Sequence, residues 1–223
     1  MLTRRSLIGG VGVALAAPSL LRAANSGERA FRVIRDGSDI GRHVLSVRRS
    51  GDDIQVAIDI ELKVKILGIT AYRYEMANRE VWRDGKIISM DSKSNDDGDP
   101  AFCKIARAGD KLDVEGSIWS GQVPGNSVST TYWSYDFLKS PLWISSADGD
   151  PLKVVTSKAG AGEVQGPNGP LATEKWTVKG EMDIDLHYVD REWVGLRFDA
   201  GGEDAIYMPE DVTQNTSAVW FNS

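Results

Sequence analysis

In Met182-Asp183-Ile184-Asp185-Leu186-His187-Tyr188 two carboxylates and an imidazole fall on alternate residues. If the segment is extended, Asp183, Asp185 and His187 share one face, and Met182, Ile184, Leu186 and Tyr188 share the other. Carboxylates and an imidazole at that spacing could hold a divalent metal or raise the histidine's pKa, which gives a weak reading as a metal-dependent hydrolase. The plainer reading is the polar outer face of a half-buried strand. A metal site would want a second cluster of ligands, and the sequence has only two histidines, His43 and His187, and one cysteine, Cys103. It also lacks a Gly-x-Ser-x-Gly nucleophile elbow, a zinc-binding helix motif and a phosphate-cradling glycine loop. Haem, iron–sulfur and molybdenum centres generally need more Cys or His ligands than this. No cofactor is expected, and the chain is read as non-catalytic.

A lone cysteine forms no intramolecular disulfide. Cys103 sits between Phe102 and Lys104 in a short apolar run, where a buried, inert thiol is the simpler expectation than a nucleophile. The segment Asn95-Asp96-Asp97-Gly98-Asp99-Pro100 has acids near a glycine but neither the alternating acid positions nor the closing glutamate of a calcium loop. It reads as a solvated turn. The aromatic content points to a different chemistry. Seven tryptophans, Trp82, Trp119, Trp133, Trp143, Trp176, Trp193 and Trp220, all follow residue 80. Such side chains fill cores and also line apolar ligand cavities.

The elements that must position these residues are strands. From Ile54 to Ile66 the even positions are Ile54, Val56, Ile58, Ile60, Leu62, Val64 and Ile66, and the odd ones are polar or small. This period-two pattern would extend roughly 43 Å at about 3.3 Å per residue, so the strand must twist and curl to stay on one core. Asp36-Gly37, Ser50-Gly51 and Asp84-Gly85 separate alternating runs at Phe31 to Arg35, His43 to Arg49, Glu80 to Arg83 and Lys86 to Met90. Asp-Gly is a strong hairpin signal because both central residues of the favoured turn take positive φ. Further strands are expected at Phe102 to Arg107, Lys111 to Ile118, Ser127 to Trp133, Leu152 to Ser157, Leu171 to Val178, Met182 to Tyr188, Glu192 to Asp199 and Ala205 to Met208. Only Tyr135 to Lys139 and the tail from Asp211 to Ser217 look briefly helical. The pattern predicts an all-β fold, an antiparallel meander forming a half-barrel or open barrel, in a single domain over residues 24–223.

Residues 1–23 read as an export signal of the twin-arginine type. Arg4-Arg5 precedes an apolar run, Leu7 to Leu21, interrupted by Gly9, Gly10, Gly12 and Pro18. At about fifteen residues the run is short of the roughly twenty that span a bilayer. Cleavage is expected after Leu21-Arg22-Ala23, with Ala14-Leu15-Ala16 as a second small-x-small candidate, and no lipidation cysteine follows either. The expected product is a periplasmic protein with no transmembrane anchor. Cleavage removes three arginines and no acid from a chain with 26 basic and 32 acidic residues, leaving a net charge near −9. That surface repels nucleic acid.

Several segments together resemble a bacterial secreted family of unknown function. They are Ile40-Gly41; Tyr72-Arg73-Tyr74 leading to Glu80-Val81-Trp82-Arg83-Asp84-Gly85-Lys86-Ile87; Tyr132-Trp133 before Leu142; and Trp193-Val194-Gly195-Leu196-Arg197-Phe198 closing near Ile206-Tyr207. Domains of that family look like relatives of the curled β-sheets of periplasmic lipoprotein and lipid carriers. The resemblance implies a fold and no catalytic residues. The expected function is binding of an apolar or amphipathic envelope ligand such as lipid on the concave face, by Ile58, Ile60, Leu62, Val64, Trp82, Trp133 and Trp193. An envelope scaffold acting through protein contacts is the alternative. The concave face of such a sheet must be filled by side chains, a helix or a ligand.

Overall fold

The alternating run around Ile58 forms a strand of 14 residues, Asp53–Ile66. In the computed structural model, which describes residues 25–66, 69–213 and 216–221, this is the third of fifteen strands in one sheet. The signal peptide expected over residues 1–23 lies outside the described residues. The strands are Ser26–Arg35 (β1), Ser38–Ser50 (β2), Asp53–Ile66 (β3), Ile69–Arg83 (β4), Lys86–Asp96 (β5), Asp99–Ala108 (β6), Lys111–Gly116 (β7) and Ser120–Pro124 (β8). They continue as Val128–Ser129 (β9), Leu142–Ile144 (β10), Pro151–Gly166 (β11), Gly169–Gly180 (β12), Ile184–Val189 (β13), Glu192–Asp199 (β14) and Asp204–Pro209 (β15).

The chain starts in the middle of the sheet. From β1 it steps outward, one hairpin at a time, to β8 at one edge, then crosses to β9 at the other edge and steps back to β15, which pairs with β1. All the neighbouring pairs among the described strands are antiparallel except β9 with β10. The crossing from Pro124 to Val128 is four residues, which reach at most about 14 Å, so the two edges must lie close together. Ile118 N–H bonds to Asp148 O at 3.1 Å across that approach. Gly116 permits it, since a Cβ there would sit 2.2 Å from the same Asp148 oxygen. The sheet is not closed by a ladder, and the architecture is an open all-β barrel or half-barrel.

Three hairpins turn at Asp-Gly pairs with the expected positive φ, at 46° and 71° for Asp36-Gly37, 50° and 69° for Asp84-Gly85, and 53° and 105° for Asp97-Gly98. The Asn95 to Pro100 segment is thus a tight turn whose flanks belong to β5 and β6. Two expected elements differ. The strand anticipated over Ser127 to Trp133 reduces to β9, because Tyr132 has φ 59° and the chain then enters a 3-10 turn at Tyr135–Lys139 capped by the Ser134 hydroxyl. A short helix falls at Ala218–Phe221, and the described part of the tail expected to be helical, residues 211–213, is not helix. The Asp211 carboxylate accepts a bond from Thr213 N–H at 2.7 Å, a local turn that competes with helix.

The segment from Gly125 to Asp150 turns inward and fills part of the concave side. Trp133, Phe137, Leu138, Trp143 and Ile144 are buried there against inward-facing residues of the sheet. The C-terminal segment is pinned from outside the interior by Glu192. This buried carboxylate accepts bonds from Arg29 at 3.4 Å, from Thr216 Oγ1 at 2.5 Å and from Ser217 N–H.

Candidate functional site

The barrel interior has two halves of different character. In the first, β4 turns Asn78, Glu80 and Trp82 inward. Trp82 stacks on Phe137 with ring centroids 4.8 Å apart and meets Trp133 edge-on at 5.3 Å. Both indole N–H groups donate to Oε2 of Glu80, from Trp82 at 2.6 Å and Trp133 at 3.1 Å, and Asn78 Nδ2 donates to Oε1 at 2.9 Å. A buried carboxylate is costly unless its lone pairs are satisfied, and here three donors supply them. Trp82 and Trp133, expected on a ligand-binding face, fasten the sheet to the returning segment and also line a hollow beside the turns at Gly85 and Gly109.

The second half contains a cavity of about 460 Å³. Ile58, Ile60 and Leu62 of β3 form one wall, as their even positions predict, with Tyr74 and Met76 of β4 beside them. Tyr132 from the returning segment and Leu196, Phe198 and Tyr207 from β14 and β15 complete it. Val64 packs on the core but is not part of the wall. Trp193 backs the cavity from behind His43, with ring centroids 5.2 Å apart.

His43 is the site residue that sequence reasoning passed over. It projects inward from β2 opposite Phe31 on β1 and Ile60 on β3. Its ring lies among Phe31, Trp193 and Tyr207 at 5.9, 5.2 and 5.4 Å. Among the described residues neither imidazole nitrogen has a hydrogen-bond partner. Burial among these rings pushes its pKa down to about 3, so the imidazole is neutral at ordinary pH. Burial likewise pushes the Tyr74 hydroxyl up to about 12 and raises Tyr132 and Tyr207 further. The cavity is apolar, with neutral donors and acceptors set into its wall. The signal for His43 was available: it shares the inward parity of Leu45 and Val47.

The Asp183, Asp185 and His187 trio is not brought together as a ligand set. Asp183 is exposed at the cavity rim and pairs with Lys179. Asp185 pairs with Lys175 at 2.7 Å, and His187 Nδ1 bonds with Thr173 Oγ1 at 2.8 Å. Both lie on the outer side of β13 under the β11–β12 hairpin, where Gly162 passes so close that a Cβ would come within 3.0 Å of the His187 ring. Among the described residues no group of three or more His, Cys, Asp or Glu side chains is placed to hold a metal. Cys103 is buried, and desolvation raises its pKa to about 12.

Three larger hollows lie elsewhere; the smallest, about 500 Å³, lies over Arg42, Asp59, Glu75 and Lys93. One, about 860 Å³, crosses the outer face of β2 to β7 over Ala57, Val81 and Ala106, with Arg48, Arg79, Lys104 and Asp113 among its other lining residues. Another, about 900 Å³, sits between Trp82, Trp133 and Phe137 and the turns at Gly85 and Gly109. The first lies on solvent-facing positions and the second is bordered largely by turns and charged side chains. What sets the 460 Å³ cavity apart is a buried imidazole with both nitrogens unmet among the described residues; the hollow of about 900 Å³ has one such atom, the Ser127 hydroxyl.

Fold and site define an open β-barrel, partly plugged by its own chain, with an apolar interior cavity. The chain belongs to the family described as Domain of unknown function (DUF6134), whose profile matches residues 31–210. That match runs from β1 to just past β15 and so includes the whole sheet. No curated protein and no solved structure matches the chain.

Proposed function

We propose that this protein binds an apolar or amphipathic molecule, such as a lipid, in the interior cavity and acts without catalysis. The observation that carries the reading is the 460 Å³ cavity lined by Ile58, Ile60 and Leu62. Its size falls in the range of about 300–1,000 Å³ typical of small-molecule sites. Apolar contact at about 25 cal/mol per Å² supplies the affinity. With residues 1–23 acting as a twin-arginine signal, the bacterial periplasm is the place of action, and the ligand is an envelope component. This agrees with the resemblance to curled-sheet lipid carriers.

The test is to purify the protein from its native host and analyse an organic extract by mass spectrometry. A stoichiometric apolar compound is the expected result. Trp193 lies behind His43, so an added lipid probe should also change tryptophan fluorescence, and less so in Trp193→Phe. A ligand-free protein whose fluorescence no lipid probe alters would overturn the reading. Replacing Arg4-Arg5 by Lys-Lys should leave the protein in the cytoplasm, and undiminished export would remove the proposed location.

The trough across β2 to β7 favours a second reading, an envelope scaffold that docks a protein partner over Ala57, Val81 and Ala106. Ala57→Glu together with Ala106→Glu should abolish co-purification of such a partner and leave lipid in the extract unchanged.

A further inference from the structure

We infer that the cavity selects a neutral molecule, apolar along most of its length, whose hydroxyl group enters first and hydrogen-bonds to the His43 imidazole. This rests on the reading that the cavity binds an apolar ligand, and it adds which end goes in and what chemistry that end must have.

The cavity wall is almost without charge. Among the described residues that line the cavity there is no lysine or arginine, and the only carboxylate, Asp183, stands at the rim already paired with Lys179. An ionised phosphate or carboxylate drawn inside would lose its hydration and gain no counter-charge. An ammonium would find no carboxylate in the depth, only phenol oxygens and ring faces, whose attraction falls short of the hydration it loses. Burying an unpaired charge is among the most costly steps available to a protein, so the portion that enters is uncharged.

His43 lines the cavity with its ring buried, both nitrogens covered by their neighbours and without a hydrogen-bond partner among the described residues. A neutral imidazole carries one N–H donor and one bare acceptor nitrogen. A hydroxyl is the smallest group that can accept from the one or donate to the other, whichever tautomer is present. A ketone can serve only the donor, and a hydrocarbon serves neither. Phe31, Trp193 and Tyr207 surround the ring, so no charged side chain competes for it. Thr130 and Thr131, which also line the cavity, are already bonded to Ser146 and Ser129, at 3.0 and 2.7 Å.

Four eight-carbon probes test this on the full chain: n-octane, 1-octanol, 2-octanone and octanoate, each titrated at neutral pH by thermal shift and tryptophan fluorescence. The expected order is 1-octanol tightest, 2-octanone next, octane weaker than the alcohol by up to about ten-fold, and octanoate weaker by about ten-fold or more. In His43→Phe the preference for octanol over octane should vanish while octane still raises the melting temperature. His43→Gln keeps one donor and one acceptor and should retain most of the preference, which separates lost pairing from lost folding. Octanoate binding as tightly as octanol, or a preference unchanged in His43→Phe, overturns the inference and leaves the cavity reading standing. Failure of all four probes overturns both.

Discussion

The two halves of the barrel interior are built from one sheet with one alternation, yet they are finished differently. Against β4 and β5 the returning segment lays Trp133 and Phe137 onto Trp82, and Glu80 takes up both indole N–H groups. Against β2 and β3 the same concave surface holds His43 with both nitrogens unbonded, beside a cavity of about 460 Å³. The first half leaves single atoms unmet, Asn78 Oδ1 and Ser92 Oγ, around a carboxylate with three donors, whereas the second leaves a whole imidazole without a partner among the described residues. Buried aromatic content does not separate the two, since Trp133 and Trp193 are both buried and serve opposite halves.

The contrast is sharpest in stability. Trp133→Ala removes the ring that bridges Trp82, Phe137 and Glu80, and should cost about 3–5 kcal/mol in urea unfolding. A loss below about 1 kcal/mol would mean the plug is not the fastener described.

Next comes acid. Below pH 6.5 the unfolded chain takes up a proton that the folded His43 refuses until about pH 3, so stability falls as pH drops through that window. Two pH units below the ordinary histidine pKa the effect is about 2.7 kcal/mol. Denaturation midpoints at pH 7 and 4.5 should therefore differ less in His43→Phe than in the wild type. Equal slopes would show that the imidazole is already hydrogen-bonded or hydrated.

Ile60→Phe fills the cavity from a half-buried position and should change stability by less than about 1.5 kcal/mol while weakening binding of 1-octanol. Unchanged binding would place the ligand elsewhere. The smallest effect belongs to the outer fastening of the plug, where Glu174 accepts bonds from Lys158, Tyr135 and Trp176 and has its pKa lowered to about 2, chiefly by Lys158. Lys158→Ala should cost at most about 1 kcal/mol because the pair is largely exposed. That difference should be complete above the ordinary glutamate pKa and disappear as pH falls through about 2, as measured by acid titration of both proteins.

Strands with uninterrupted alternation and Asp-Gly turns were legible in the sequence, and β3 runs almost as its pattern predicts. The wall residues Ile58, Ile60 and Leu62 followed from parity alone. The plug did not, because β9 and β10 have only two and three residues and Tyr132 breaks the extended path with a positive φ. The mixed roles of the tryptophans were equally hidden, since a fastener and a cavity lining have the same hydropathy and differ only in what their N–H groups meet. Asp183, Asp185 and His187 had a suggestive spacing, but the neighbouring strands supplied Lys179, Lys175 and Thr173 as partners.

The pairing of β1 with β15 bears on the order of events during synthesis. Phe31 and His43 are among the first sheet residues to leave the ribosome, while Tyr207, which packs on both, comes from the last of the described strands. Until then β1 has a bare edge and the early arm keeps part of its apolar face in water. Completion is therefore a long-range event, slow compared with the local hairpins on either side. A chain cut before Asp204 retains those hairpins and has no continuous inside.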